Sequence, residues 1–409
     1  MNVRELVYDI KNVSDKIKQF ESTNNLILMF KSLEITEHYQ LLLEIKSIDS
    51  FEFYYKLLKF INFEKKSVIV DYIVCKCLFN NYDSIESNDI EYYYCISTIY
   101  KLLQYTSDLL NSSSRKENNT IENTILSKII ERICQFSSDI YLNHQFRNNV
   151  LSSDTMDISY NILKKILKIY ILVVNILISV NNDDLSTQFL DHLMSFKSTV
   201  TSIDYFTLVD SIHIPSLLLH SKSGNSIILS LLFKLVLESS YLQILQFSDY
   251  TLYNELQIKV SQQDYIEDLF NLYLDQDDLL IESMLTLLLI YKLQSPKQQQ
   301  QVSSTILFNP HSLFRYFIEN VCYYDHLMLL EFLISNETSF LEYLLQYLNL
   351  IIEEEYPIYN GDVNMQLYSC LQKLELTIQK SSDNNNFPYN PSLLLKRMGK
   401  ILDIKSNKI

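Results

Sequence analysis

Three glycines in 409 residues constrain this chain more than any other feature. Average usage is about 7%, and hairpin turns, bulges and left-handed backbone positions draw on glycine because it has no Cβ to clash. So few of them leave little means of building extensive β-structure. Gly224, Gly361 and Gly399 also stand too far apart for a G-x-G-x-x-G turn or a P-loop, where clustered glycines bring backbone N–H groups onto a phosphate. Nucleotide enzymes of those two kinds are not expected.

From Leu6 to Leu402 the apolar residues recur at helical spacing, separated by short polar breaks. The pattern predicts helices near 2–20, 24–46, 51–63, 66–80, 87–111, 120–143, 157–181, 184–197, 203–220, 225–246, 251–274, 277–293, 311–320, 325–335, 339–353, 364–380 and 391–404. These pair into units of about forty residues, the size of HEAT or armadillo repeats. The expected fold class is all-α, with stacked helix pairs forming an armadillo/HEAT-like α-solenoid; a compact bundle of the same helices is the architectural alternative. Three polar tracts, Asn111–Asn119, Ser295–Ser304 and Ser381–Asn386, have little apolar surface to pack and are expected as surface loops.

Hydrophobic residues make up 47% of the chain, 21 Phe and 30 Tyr among them, so a large core is available. The net charge of −15 opposes binding to nucleic acid or to an anionic membrane unless a basic stripe is segregated on one face. Lys164, Lys165 and Lys168 are the nearest approach; beside Ile162, Leu163, Ile166, Leu167 and Tyr170 they read as a solvated helix face. Ile166–Val180 and Ile227–Leu237 are interrupted by Lys168, Asn175 and Lys234 and fall short of the roughly 18 apolar residues a membrane span needs. Both read as buried core helices. The start of the chain lacks the long apolar stretch of a secretory signal. Six cysteines scattered through apolar context fit a reducing compartment, so the expected location is cytoplasmic and nuclear.

No catalytic constellation emerges, and no catalytic, cofactor-binding or metal-ligating residue is expected. His38, His144, His192, His213, His220, His311 and His326 show no H-E-x-x-H or comparable spacing. Cys75 and Cys77 lack the second pair that would complete a tetrahedral metal site. Asp191-His192 and Asp325-His326 are sequence neighbours, which point to different helix faces instead of pairing. Glu353-Glu354-Glu355 reads as a solvated marker of a helix end.

The last third has the clearest local design. Ser339 and Glu342 are spaced as a capping box. Phe340, Leu344, Tyr347, Leu348 and Ile351 then form one apolar stripe, with Glu342, Gln346, Asn349 and Glu353 on the opposite face. Those four polar residues are the candidate partner-binding surface. Further on, Asn390 is placed to cap a helix with Pro391 at its first position, buried through Leu394, Met398, Ile401 and Leu402.

Leu329-Leu-Glu-Phe-Leu-Ile-Ser-Asn-Glu-Thr-Ser-Phe-Leu-Glu-Tyr-Leu-Leu345 and Phe387-Pro-Tyr-Asn-Pro-Ser-Leu-Leu-Leu-Lys396 resemble the C-terminal region of the Lines protein family. The direct resemblance covers roughly 305–402, and the upstream helices resemble the family's N-terminal domain in general character. It implies a division into 1–304, a helical-repeat region like the Lines N-terminal domain, and 305–409, a C-terminal Lines-like helical domain. It further implies a regulator of developmental signalling, Wnt-type pathways included, acting between cytoplasm and nucleus without known enzymatic activity. The short segment Glu353 to Asp362 departs from the long polar insertions of animal members, so partners or modification sites located there do not carry over.

The expected function is therefore a non-enzymatic interaction scaffold or regulator with protein partners of unspecified identity, no nucleic acid, no membrane and no evident small-molecule substrate. Two alternatives stand beside it. One is an acidic solenoid receptor that grips basic protein segments, as nuclear-transport receptors do; the other is an enzyme whose active site converges from distant helices and leaves no linear motif.

Overall fold

The computed structural model describes most of residues 97–107, then 158–180, 182–199, 224–260, 265–274, 276–294, 308–335, 338–354, 362–384 and 386–403. Every regular element among them is helical. The chain divides into two compact units, Met1–Ser202 and Ile203–Ile409.

In the first unit, α1 (Ile158–Val180) packs on α2 (Asp183–Thr199). Ile166, Leu167, Ile169, Tyr170, Val173, Val174, Ile176 and Leu177 of α1 are all buried. That wide apolar surface is why its sequence is too greasy for an ordinary amphipathic helix. The Asn182 carboxamide oxygen accepts from the Leu185 N–H at 3.1 Å, and Asp183 and Asp184 set negative charge against the positive end of α2. Phe189 then meets Tyr170 across the pair, ring centroids 5.8 Å apart. The expectation of a solvated lysine face needs correcting: Lys164, Lys165 and Lys168 are half-buried, and the Lys165 ammonium sits 4.9 Å above the Tyr100 ring. Burial, with Lys168 as a second cause, lowers the Lys164 pKa. Lysine stems are apolar and cover hydrophobic neighbours while the heads reach outward.

Among the described residues, the second unit holds α3 (Gly224–Phe247), α4 (Thr251–Val260), α5 (Tyr265–Leu272) and α6 (Asp277–Leu293). It continues with α7 (Pro310–Tyr316), which runs into a π-helical turn at Phe317–Val321, then α8 (His326–Ile334), α9 (Phe340–Glu353), α10 (Asp362–Asp383) and α11 (Ser392–Asp403). Helix α6 lies against α3 and α9, and α9 against α6, α8 and α11; α10 packs on α8 and α11. Its central place explains the composition of α6. Leu280, Ile281, Met284, Leu287, Leu288, Ile290 and Tyr291 are buried almost all round it, while Asp277, Asp278 and Lys292 match the two ends of its dipole. One apolar core runs from Phe233 to Ile401, with an aromatic seam in which Phe317 lies 5.5 Å from both Phe332 and Phe340.

Several local expectations change. The span 251–274 is two helices, with 261–264 outside the described residues. Ser381, Ser382 and Asp383 belong to α10, not to a loop, because the Gln379 amide donates to the Asp383 carboxylate and carries the last turn further. Helix α9 starts where Ser339 predicts, yet the capping box does not form. Ser339 has ψ 24° and makes no side-chain cap bond, whereas a cap of that kind needs extended backbone to lay the hydroxyl over the first N–H groups. Asn309 (ψ 120°) and Asp325 (ψ 111°) do have it and do cap α7 and α8, and Asn390 accepts from the Ser392 N–H as expected. The tracts Asn111–Asn119 and 295–304 lie outside the described residues, as do all predicted helices before residue 97.

Scarce glycine leaves a mark on the backbone. Ser248, just past α3, and the consecutive Tyr323 and Tyr324 occupy the left-handed region at φ 52°, 51° and 56°. Glycine is the usual residue at such helix ends, and each L residue there costs roughly 1–2 kcal/mol.

Candidate functional site

Three features of the second unit bring polar side chains together. The first is buried between α3 and α6. Lys234 is 2% exposed, its ammonium 3.2 Å from a Glu238 carboxylate oxygen and 2.6 Å from Glu282, and the Thr286 hydroxyl donates to Glu238 at 3.0 Å. Nearby, Tyr273 and Ser283 share a hydrogen bond of 2.8 Å, and Ser230 donates to Gln276. Desolvation opposes the Lys234 charge, but Glu238 and Glu282 outweigh it and raise the pKa above its ordinary value. A nucleophilic lysine needs the reverse, a lowered pKa and a free amine; this one is an ammonium clasp joining two helices. The sequence reading took Lys234 only as an interruption of an apolar run. Its signal was Glu238 four residues on, the spacing of a helical ion pair.

The second feature joins the start of α7 to the end of α9. Buried His311 places Nδ1 3.2 Å from the Tyr347 hydroxyl and Nε2 2.8 Å from Glu354. Glu353 and Glu354 are exposed at the end of α9, as the solvated reading of the Glu353-Glu354-Glu355 run expects, and Glu354 reaches His311 from there; Glu355 lies outside the described residues. Thirty-six and 43 residues separate the partners from His311, and no local pattern announces such a contact. Asp325 and His326 behave as neighbours should: Asp325 caps α8, and its carboxylate is 3.7 Å from the imidazole, beyond hydrogen-bonding distance. His38, His144, His213 and His220, with Cys75 and Cys77, lie outside the described residues.

The third feature is open to solvent. A groove of about 770 Å³ separates the first turn of α6 from α8 and is lined by Asp277, Asp278, Met328, Glu331, Phe332, Ser335 and Thr338. Its floor is firm. Phe332 packs on Phe317 and Phe340, and its carbonyl accepts from the Thr338 hydroxyl at 3.2 Å. Among the described residues, no group of three or more His, Cys, Asp or Glu side chains is placed to hold a metal ion. Cys322, buried at the end of the π-helical turn, has its thiol pKa pushed far up, first by burial and then by Cys370, Asp325 and Asp277.

On α9 the expected stripe is buried in full, with Tyr343 and Leu350 added to it. Of the four candidate partner-binding residues, Glu342 and Glu353 are exposed. Gln346 accepts from the Lys292 ammonium at 2.9 Å, and Asn349 donates to Glu353. The helix therefore keeps its two carboxylates in solvent while its two amides are engaged.

A family model described as "Lines N-terminus" matches residues 120–356. Leu329–Leu345 falls inside that match and Phe387–Lys396 beyond it. The human protein "Protein Lines homolog 1" is 31% identical over 91 residues, covering 20% of this chain and 12% of that protein. The mouse protein of the same name is 34% identical over 109 residues, covering 24% of this chain and 14% of its own. The alignment thus spans about an eighth of these relatives' length. No solved structure matches the chain. With more than half of its residues inside the family model, the chain belongs to the Lines family.

Proposed function

We propose that this chain is a non-enzymatic interaction scaffold that binds other proteins. The observation that carries the reading is the contrast between the polar groups in its core and those on its surface. Lys234 with its two glutamates, and His311 with Tyr347 and Glu354, are spent on holding helices together. The open groove between α6 and α8 mixes acidic and apolar side chains, a lining whose charge can complement a basic peptide or protein surface. The solenoid arrangement belongs to the same proposal, supported by the succession of contacts from α3 to α6, α9 and α11. So do the division at 304/305, the partner face on Glu342, Gln346, Asn349 and Glu353, and a cytoplasmic and nuclear role in developmental signalling, which rests on the resemblance to the family.

Affinity purification of the whole chain with chemical cross-linking and mass spectrometry tests the reading. A stoichiometric partner cross-linked to the second unit is the expected result. A preparation with no such partner that turns over a compound in an unbiased metabolite screen refutes it in favour of an enzyme. Loss of the partner in E342K/E353K places the contact on α9; retention removes that face from the proposal.

A further inference from the structure

We propose that the groove between the first turn of α6 and α8 docks a basic segment of a partner protein carrying at least one large apolar side chain. This rests on the scaffold reading and names its partner class.

Charge is the first argument. Asp277, Asp278 and Glu331 line the groove, and among the described residues the others that line it, Met328, Phe332, Ser335 and Thr338, carry no positive charge. Acids in a first turn are the ordinary complement of a helix dipole and account for Asp277 and Asp278. They do not account for Glu331, which stands in the second turn of α8 and brings a third carboxylate to the same space. Like charges gathered around one groove repel, and a cationic segment converts that repulsion into attraction.

The apolar surface is the second argument and rests on different side chains. Met328 and Phe332 form part of the lining. Leu274, three residues before Asp277, is 70% exposed; Leu327, next to Met328, is 51% exposed; Tyr323, just ahead of α8, is 76% exposed. Each lies within a few residues of a lining residue along the chain, and a partner that covers them together with Met328 and Phe332 gains their burial.

Size and charge then select the occupant. About 770 Å³ admits a few side chains, as a turn of helix or a short extended segment supplies. A nucleic acid or an acidic segment would set charge against like charge. A second copy of this chain carries the same net charge of −15, which opposes its close approach.

The test is fluorescence anisotropy of the whole chain with three sets of labelled peptides of about a dozen residues. One set carries Lys or Arg with Leu or Phe at helical spacing, one replaces the bases by Glu, and one replaces the apolar residues by Ser. The first set alone is expected to bind, weakening about tenfold as salt rises from roughly 50 to 300 mM. D278K/E331K is expected to bind the basic set at least about tenfold more weakly and to acquire affinity for the Glu set. That gain requires a folded groove, so it separates charge reversal from misfolding. The inference is overturned if wild type binds no basic peptide, if D278K/E331K binds the basic set as tightly as wild type, or if the Glu set or a single-stranded oligonucleotide binds wild type equally well. A dimer in light scattering that E331K dissociates would assign the groove to a second copy and overturn it too. A stoichiometric partner cross-linked elsewhere leaves the scaffold reading standing when the groove fails, and the absence of any partner sinks that reading independently.

Discussion

Replacing Lys234 by methionine keeps the aliphatic stem and deletes the ammonium that sits 3.2 Å from Glu238 and 2.6 Å from Glu282. The two glutamates do not suffer equally. Glu282 has a side chain 37% exposed and rehydrates, whereas Glu238 at 8% is left with the Thr286 hydroxyl as its remaining named donor. Breaking a buried pair by removing one partner typically costs about 3–5 kcal/mol, and the partial exposure of Glu282 puts K234M near the lower end, about 3 kcal/mol. In K234M/E238L no charge is stranded on α3, and its stability is expected within about 1 kcal/mol of wild type or above it. Urea unfolding followed by far-UV circular dichroism reads both. At a slope of about 1–3 kcal/mol/M, K234M lowers the midpoint by roughly 1–3 M with the slope unchanged. A loss below about 1 kcal/mol for K234M, or a double variant as unstable as the single one, refutes the reasoning. Proton linkage gives a second reading. The folded pKa of Lys234 lies above the ordinary 10.5, so its stabilisation is complete below that value and lost as pH rises through the folded pKa. From neutral pH the difference between wild type and K234M therefore stays constant up to pH 10.5 and shrinks above it.

Other perturbations have defined outcomes. The Tyr343 hydroxyl is buried and finds no hydrogen-bond partner among the described residues; Y343F removes a stranded polar group and is expected to stabilise by about 1 kcal/mol, and a loss of that size in thermal unfolding would reveal a hidden partner. N309A deletes a cap that accepts from the His311 N–H at 2.8 Å and should cost about 1 kcal/mol, whereas S339A deletes no cap bond and should change stability by less than about 0.5 kcal/mol; equal costs in the same assay would contradict the geometry. Cys322 and Cys370 are buried, and burial, then Asp325, pushes the Cys370 thiol up to about 11. Both should resist iodoacetamide in the native chain and react on unfolding, and peptide-resolved labelling of either within seconds under native conditions would show that the core opens.

The left-handed residues show how composition and tertiary structure divide the work. Glycine scarcity argued against extensive β-structure, and every regular element among the described residues is helical; it also meant that left-handed helix ends would fall mostly on other residues. Which residues would accept it could not be read: Ser248, Tyr323 and Tyr324 do so because the helices on either side have to meet there. Ser339 and Asn309 make the same point for caps. Both carry a capping side chain, but the backbone angle that decides between them is set by how the preceding segment enters the helix.

Helical periodicity, the apolar stripe of α9 and the Asn390 cap were legible because each depends on residues within about four positions of one another, and the local backbone enforces those relations. The Leu329–Leu345 stretch likewise announced the family. The groove, the Glu282 half of the Lys234 clasp and the His311 contacts were decided by tertiary structure alone. Asp278 and Glu331 are 53 positions apart, and His311 and Glu354 are 43 apart. Contacts at that separation depend on how the intervening helices pack, a property of the core as a whole that no single stretch of sequence encodes.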